Sequence, residues 1–141
     1  MVPLPLLRRE GRENMTVRDV VIVGGGPAGA YAAKLLADAG RDVLLFERTR
    51  GPHQKVCGEF LSHEAIFYLR KIGIDPLGLG AVPISTVALV REDVATVAEL
   101  PFPAFSLSRL RLDEALLASA RDAGAEVRRG CRIRAVRKEG S

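Results

Sequence analysis

Apolar positions along the chain fall first into short unbroken runs and then into stripes at helical spacing. Asp19 to Val23 is a run rich in Val and Ile that ends on glycine, the pattern of a strand buried on both faces of a parallel sheet. A helix is expected to follow at once: Pro27 suits the first helical turn, where its missing N–H costs nothing, and Gly40 closes the segment as a C-terminal cap. Ala28, Ala32, Leu35, Leu36 and Ala39 then share the face that lies against a sheet. Asp42 to Glu47, DVLLFE, is a second buried strand, so β-α-β is complete with a short crossover that is parallel and right-handed. The polar, glycine-bearing RTRGPHQKVCGEFLS reads as a loop. Helical spacing resumes from Ser62 to Lys71 through Ala65, Ile66 and Leu69, with Ser62 able to cap the start and Gly73 ending it.

Past the turn chemistry of DPLGLGAVP, STVALVRE and VATVAEL alternate as two strands joined near Glu92 and Asp93. LPFPAF is kept extended by Pro101 and Pro103. Leu110 to Ala123 is a helix with Leu112, Leu116, Leu117 and Ala120 on one face and Gly124 as its cap. The closing AEVRRGCRIRAVRKEG reads as a strand pair, or a bent strand broken at Gly130.

Length and composition narrow the class. At 141 residues the chain holds one domain at most, and 48% hydrophobic with 27% charged residues is an ordinary globular balance. No apolar run approaches the roughly 20 residues of a spanning helix, so no transmembrane segment is expected. The net charge of +4 is concentrated between Arg128 and Lys138, but with five Phe, two Tyr and no Trp there is no stacking platform for nucleic acid. Cys57 and Cys131 form neither a CxxC nor a Cys/His cluster, which leaves no disulfide framework or metal site and fits a reducing cytoplasm. His53 and His63 read as bystanders. Residues 1–16 carry two prolines and scattered charges without a signal-peptide core, and are expected to form a flexible tail, with Met15 a plausible natural start.

One motif carries chemistry. Gly24, Gly26 and Gly29 form GxGxxG between the first strand and the first helix. Such glycines permit the tight turn, let backbone approach a pyrophosphate, and allow close packing of helix on sheet. The helix N-terminus offers N–H groups and a positive dipole end to the anion. Glu47, closing the second strand, can accept the hydroxyls of an adenosine ribose and would repel a 2′-phosphate, which disfavours NADP in this site. FAD and NAD both remain open on this reading.

VIVGGGPAGAYAAKLLADAGRDVLLFER resembles the amino-terminal FAD-binding segment of the flavoprotein oxidoreductase superfamily of geranylgeranyl reductases and aromatic-ring hydroxylase-type monooxygenases. KVCGEFLS, Lys55 to Ser62, is similar to the KxCG segment of the geranylgeranyl-reductase-like branch, and SRLRLDEALLASARDAGAEVRRG resembles the superfamily's Arg-containing helix and following strand. The resemblance implies an α/β, Rossmann-like FAD-binding domain: three layers, a parallel sheet with helices on both faces, and a small β meander. It implies FAD as cofactor, held through Gly24, Gly26, Pro27, Ala28, Gly29, Ala30, Glu47, Arg48, Lys55, Cys57, Gly58 and Arg109, with backbone near Arg132 and Ile133 beside adenine. No catalytic residue is assigned. On residues alone, Lys55 reads equally well as a solvated loop lysine, Cys57 as a small buried hydrophobe, and Arg109 as the partner of Asp113 one turn on.

Enzymes of this type are longer. Residues 17–141 are therefore expected to be the amino-terminal, incomplete portion of an FAD-dependent oxidoreductase, reductase-like in its KxCG loop, with NAD(P)H as electron donor and a small apolar substrate in the complete enzyme. The chain contains no GDA, GDS or ADG segment, so weak flavin retention, no turnover by itself and a tendency to associate through open sheet edges are expected. An aromatic-hydroxylase-type monooxygenase and a non-catalytic nucleotide-binding fragment are the alternatives.

Overall fold

The computed structural model of the chain describes residues 17–57 and 59–138; the expected tail over 1–16 and Gly58 lie outside the described residues. In chain order its elements are β1 (Val20–Val23), α1 (Pro27–Asp38), β2 (Val43–Glu47), β3 (Phe60–Leu61), α2 (His63–Lys71), β4 (Val82–Arg91), β5 (Val94–Ser106), α3 (Arg109–Asp122) and β6 (Glu126–Arg129). They fall into two compact units, one running to His53 and resuming at Leu116, the other Gln54–Ala115, so the division lies within α3.

The first unit is built on a parallel sheet of order β1-β2-β6. Its central strand is Val43–Glu47, every residue of which is buried, as an unbroken apolar run flanked on both edges requires. α1 makes the crossover from β1 to β2. Its end is closed by Gly40 at φ +73, whose N–H donates to the Ala37 carbonyl while Arg41 N donates to the Leu36 carbonyl. That pair of bonds satisfies carbonyls the last turn would otherwise leave open. The same pairing closes α2 at Gly73 and Ile74, and α3 at Gly124 and Ala125.

The face of α1 differs from the expected stripe. Ala30 and Ala33 are fully buried, whereas Ala28 and Leu35 are exposed. The inward face is lined by small side chains, Ala30 and Ala33, beside Gly29, where a Cβ would strike the Gly24 carbonyl. On α3 the expected stripe is the observed one: Leu112, Leu116, Leu117 and Ala120 are all buried.

Arg18 ties the strand starts of this sheet together. Its guanidinium donates to Asp42 just before β2, at 2.7 Å, and to Glu126 at the head of β6. Arg128 adds a second cation on Glu126, at 2.6 Å. Hydrogen bonding from Arg128, reinforced by the charges of Arg128 and Arg18, holds the Glu126 carboxyl below its ordinary range. A folded-state value below the unfolded one gives stability that is present above the ordinary glutamate range and disappears as pH falls through the lowered value. Melting temperature measured from pH 7 to 3 is therefore expected to fall more steeply in the wild type than in Glu126→Gln below about pH 4.3. Parallel profiles would show that the pair of arginines adds nothing.

The second unit holds an antiparallel sheet of order β3-β5-β4. Its two long strands form a hairpin across Glu92 and Asp93, with Glu92 at φ +53 and Arg91 paired to Val94, at the turn the alternation predicts. Pairing proceeds regularly to Thr86 and Glu99, then resumes at Ile84 and Ala104. Leu100 to Pro103 therefore face Ser85 alone, because Pro101 and Pro103 bring no N–H to the ladder. Along the hairpin Val87, Leu89, Val90, Val94 and Val97 are all exposed. α2 opens at Ser62, whose Oγ accepts from Ala65 N, and buries Ile66 and Leu69.

Two expectations are corrected. GEFLS is not all loop: Phe60–Leu61 pair with Ser106 and Phe105 as β3, a strand too short to show alternation and made by its partner. The closing segment is neither a strand pair nor a bent strand. Among the described residues β6 has β2 as its one neighbour and stops at Arg129, where β2 ends at Glu47, and the alternating residues after Cys131 meet no strand there.

Candidate functional site

The turn from β1 into α1 is shaped by glycines with different duties. Gly24 sits at φ +109 and donates its N–H to the Phe46 carbonyl at 2.8 Å, so the β1–β2 ladder runs one residue past the strand. Gly29 is the point of closest approach. A Cβ built there would stand 2.0 Å from the Gly24 carbonyl oxygen and 3.3 Å from Ile22 Cγ2. Gly26 is the N-cap of α1 and brings no capping side chain, Pro27 follows it, and no acidic residue occupies the first turn. The positive end of a 12-residue helix is thus presented with no carboxylate of its own to neutralise it. Ala30 N closes the first helical bond onto the Gly26 carbonyl at 2.9 Å.

Glu47 is buried, 6% exposed, and so is no surface acid. Its carboxylate is held from two sides. Oε2 accepts the N–H of Gly25 at 2.7 Å, and Oε1 accepts both the N–H and the hydroxyl of Thr49, each at 2.9 Å. The acid at the end of β2 is therefore bonded to the middle of the glycine turn. Its backbone carbonyl accepts Cys131 N at 3.0 Å, and the Thr49 carbonyl accepts Gly130 N at 3.2 Å. Arg48 is exposed beside it, and Arg132 and Ile133 follow the 130–131 turn, Arg132 exposed and Ile133 half-buried.

A second cluster lies within the second unit. Asp113 of α3 is buried and shared by two cations: Lys55 Nζ reaches Oδ2 at 2.8 Å, while Arg109 Nε and Nη2 reach Oδ1 and Oδ2 at 2.9 and 3.1 Å. Arg109 grips the carboxylate with two donors, the stronger kind of pair. Its guanidinium is held above its ordinary value, first by the hydrogen bond to Asp113 and then by that carboxylate's charge, with Cys57 adding to both effects. Cys57 itself is exposed. Lys55 is thus no free loop lysine, and Arg109 does pair with Asp113, as the helical spacing allows.

Of the residues expected to contact a cofactor, Gly24, Gly26, Gly29 and Glu47 are brought together at one turn, and Lys55, Cys57 and Arg109 at another cluster. Gly58 lies outside the described residues. Two residues not expected at the site, Gly25 and Thr49, complete the first of these arrangements. Gly25 is buried, and a Cβ there would stand 3.1 Å from Glu47 Oε2; the unbroken Gly24-Gly25-Gly26 run was its only signal. Thr49 gave no signal beyond its polarity, and Asp113, expected as the partner of Arg109, gave none for Lys55. Among the described residues no group of three or more His, Cys, Asp or Glu side chains could hold a metal ion, and no helix is long and apolar enough to cross a membrane.

This geometry suits an ADP-containing ligand: a helix N-terminus with no acid in its own first turn for a pyrophosphate, a glycine turn with no room for a side chain at Gly29, and a fixed carboxylate next to it as hydroxyl acceptor. The family described as "FAD binding domain" matches residues 17–141. Menaquinone reductase of Mycobacterium tuberculosis is 32% identical over 128 residues, covering 87% of this chain and 31% of that protein. Digeranylgeranylglycerophospholipid reductase 2 of Methanopyrus kandleri is 37% identical over 110 residues, covering 77% of this chain and 27% of that protein. Among solved structures, the myxobacterial chondrochloren halogenase CndH superposes with a TM-score of 0.70 at 24% identity, covering 80% of this chain and 28% of that one, a likeness of fold. The chain spans less than a third of the length of these relatives.

Proposed function

The chain belongs to the FAD binding domain family, and from that premise we propose that residues 17–141 form the FAD-binding part of a cytoplasmic, geranylgeranyl-reductase-like oxidoreductase. Its fold is the Rossmann-like one of FAD-binding flavoproteins. The observation that carries the reading is the bond from Gly25 N to the Glu47 carboxylate, which couples the pyrophosphate turn to the ribose acceptor. Gly24, Gly26, Pro27, Ala28, Gly29 and Ala30 shape the turn and the N-terminus of α1 that receive the pyrophosphate. Glu47 takes the ribose, and backbone at Arg132 and Ile133 serves adenine. Arg48, Lys55, Cys57, Gly58 and Arg109 are assigned to the cofactor by resemblance, and Asp113 keeps two of those cations oriented.

FAD, when bound and reduced, supplies the hydride for the reaction, with NAD(P)H as its source and a small apolar substrate as its acceptor. What this chain contributes is grip: an anion site, a hydroxyl acceptor and a charge pattern that rejects a 2′-phosphate. The relatives named as reductases, matched over most of the chain, and the KVCGEFLS segment favour the reductase branch over an oxygen-dependent one.

Two measurements test this. Titration of the chain is expected to give binding of FAD and ADP at least about tenfold tighter than of NADP+, the carboxylate repelling the extra phosphate; equal affinities would remove the assignment of Glu47. Protein carrying this chain, supplied with reduced FAD and an isoprenoid substrate under strict anaerobiosis, is expected to form saturated product. Product that appears only with oxygen would make it a monooxygenase instead.

A further inference from the structure

We infer that Thr49 is a positioning residue that fixes the Glu47 carboxylate for ribose recognition; this rests on the reading of Glu47 given above. A glutamate side chain has enough rotamer freedom to weaken any hydrogen bond it must organise afresh. Here it is pinned by Gly25 N on one oxygen and by Thr49 N and Thr49 Oγ1 on the other. The two N–H donors come with the backbone whatever side chains stand there. Of these three bonds, the one from Thr49 Oγ1 alone depends on residue type. The β-branched side chain also restricts χ1, which holds the hydroxyl in line.

Thr49 has a second set of bonds. Its carbonyl accepts Gly130 N at 3.2 Å and Arg129 Nε at 3.4 Å, while the neighbouring Glu47 carbonyl accepts Cys131 N. Gly130 stands at φ +73, and a Cβ there would meet Arg50 Cγ at 3.0 Å, so the turn is built to lie against this stretch. The residue that orients the ribose acceptor is thus also bonded to the turn leading into Arg132 and Ile133.

Calorimetric titration of the chain with ADP and with 2′,3′-dideoxy-ADP separates positioning from mere structure. The wild type is expected to prefer ADP by about tenfold, the scale of a hydrogen bond to a charged acceptor. Thr49→Val is expected to cut that preference to about twofold while leaving dideoxy-ADP affinity unchanged, and Thr49→Ser to restore it. If the valine variant does not fold, the same ratio is read in Thr49→Ala. A full preference retained without the hydroxyl, or an equal loss for both ligands, overturns the proposal. A wild type indifferent to the ribose hydroxyls removes the reading of Glu47 itself, and the inference with it, before any variant is made.

Discussion

Gly29→Ala is expected to abolish measurable ADP binding and to lower the melting temperature by about 10 °C. The new Cβ would lie 2.0 Å from the Gly24 carbonyl oxygen, well inside any contact distance, and the obstacle is backbone on one side and Ile22 on the other. Neither can step aside cheaply. Gly24 is bonded through its N–H to the Phe46 carbonyl of the central strand, and Ile22 is paired in β1. Relief must come from moving the N-terminus of α1 away from the sheet, which also carries Gly25 off the Glu47 carboxylate. Overpacking in a tight site costs about 3 kcal/mol at the upper end of its usual range. Calorimetry for stability and titration with ADP for binding report on the two effects separately. A variant that melts like the wild type and binds ADP normally would show that α1 has room the structure does not display. By contrast, Gly24 has open space where its Cβ would be, so the strain of a side chain there is conformational alone.

The second large effect is expected at Asp113. Asp113→Ala leaves Lys55 and Arg109 facing one another without their shared anion, in a place where their side chains are only 25% and 21% exposed. Breaking a buried ion pair by removing one member costs more than the pair itself contributes, because the remaining charge is stranded. Partial access to water reduces this, so a loss of about 2 to 3 kcal/mol is expected, with Asp113→Asn losing less by keeping one acceptor oxygen. Urea denaturation should show a lower midpoint with an unchanged slope. Lys55→Ala should then recover part of that loss in the Asp113→Ala background, by removing one of the two stranded cations, although it is destabilising in the wild type. A loss under about 0.5 kcal/mol would place the cluster with ordinary surface pairs.

The parts of the fold that were legible in the sequence are those where one local rule decides the outcome. Buried strands of a parallel sheet must be apolar without alternation, helices that turn back onto the sheet end in glycine, and a two-residue hairpin sets its own position at Glu92 and Asp93. The glycine turn and Glu47 were legible for the same reason, since their spacing follows from backbone geometry. What stayed hidden depends on a partner far along the chain. Phe60–Leu61 become a strand only because Ser106 and Phe105 lie beside them, and β6 ends where β2 ends, although its own alternation continues. Asp113 looks like one half of a pair on a helix surface until Lys55, distant in sequence, arrives on the same carboxylate. On α1 the inward face is that of Ala30 and Ala33, the one that brings Gly29 against the Gly24 carbonyl, a contact that periodicity does not encode.

The hairpin of β4 and β5 has a consequence of another kind. Most strands carry their alignment in their alternation, since a slip by one residue would turn the core face outward. Val87, Leu89 and Val94 project on one side of this hairpin and Val90 and Val97 on the other, all exposed, so a slip would exchange valine for valine. The side chains therefore store almost no information about which residue faces which. That information sits at the two ends of the regular run from Arg91–Val94 to Thr86–Glu99: the tight reversal at Glu92 and Asp93, and the proline-bearing interruption opposite Ser85. Together they work as a pair of pins on an otherwise unmarked ruler.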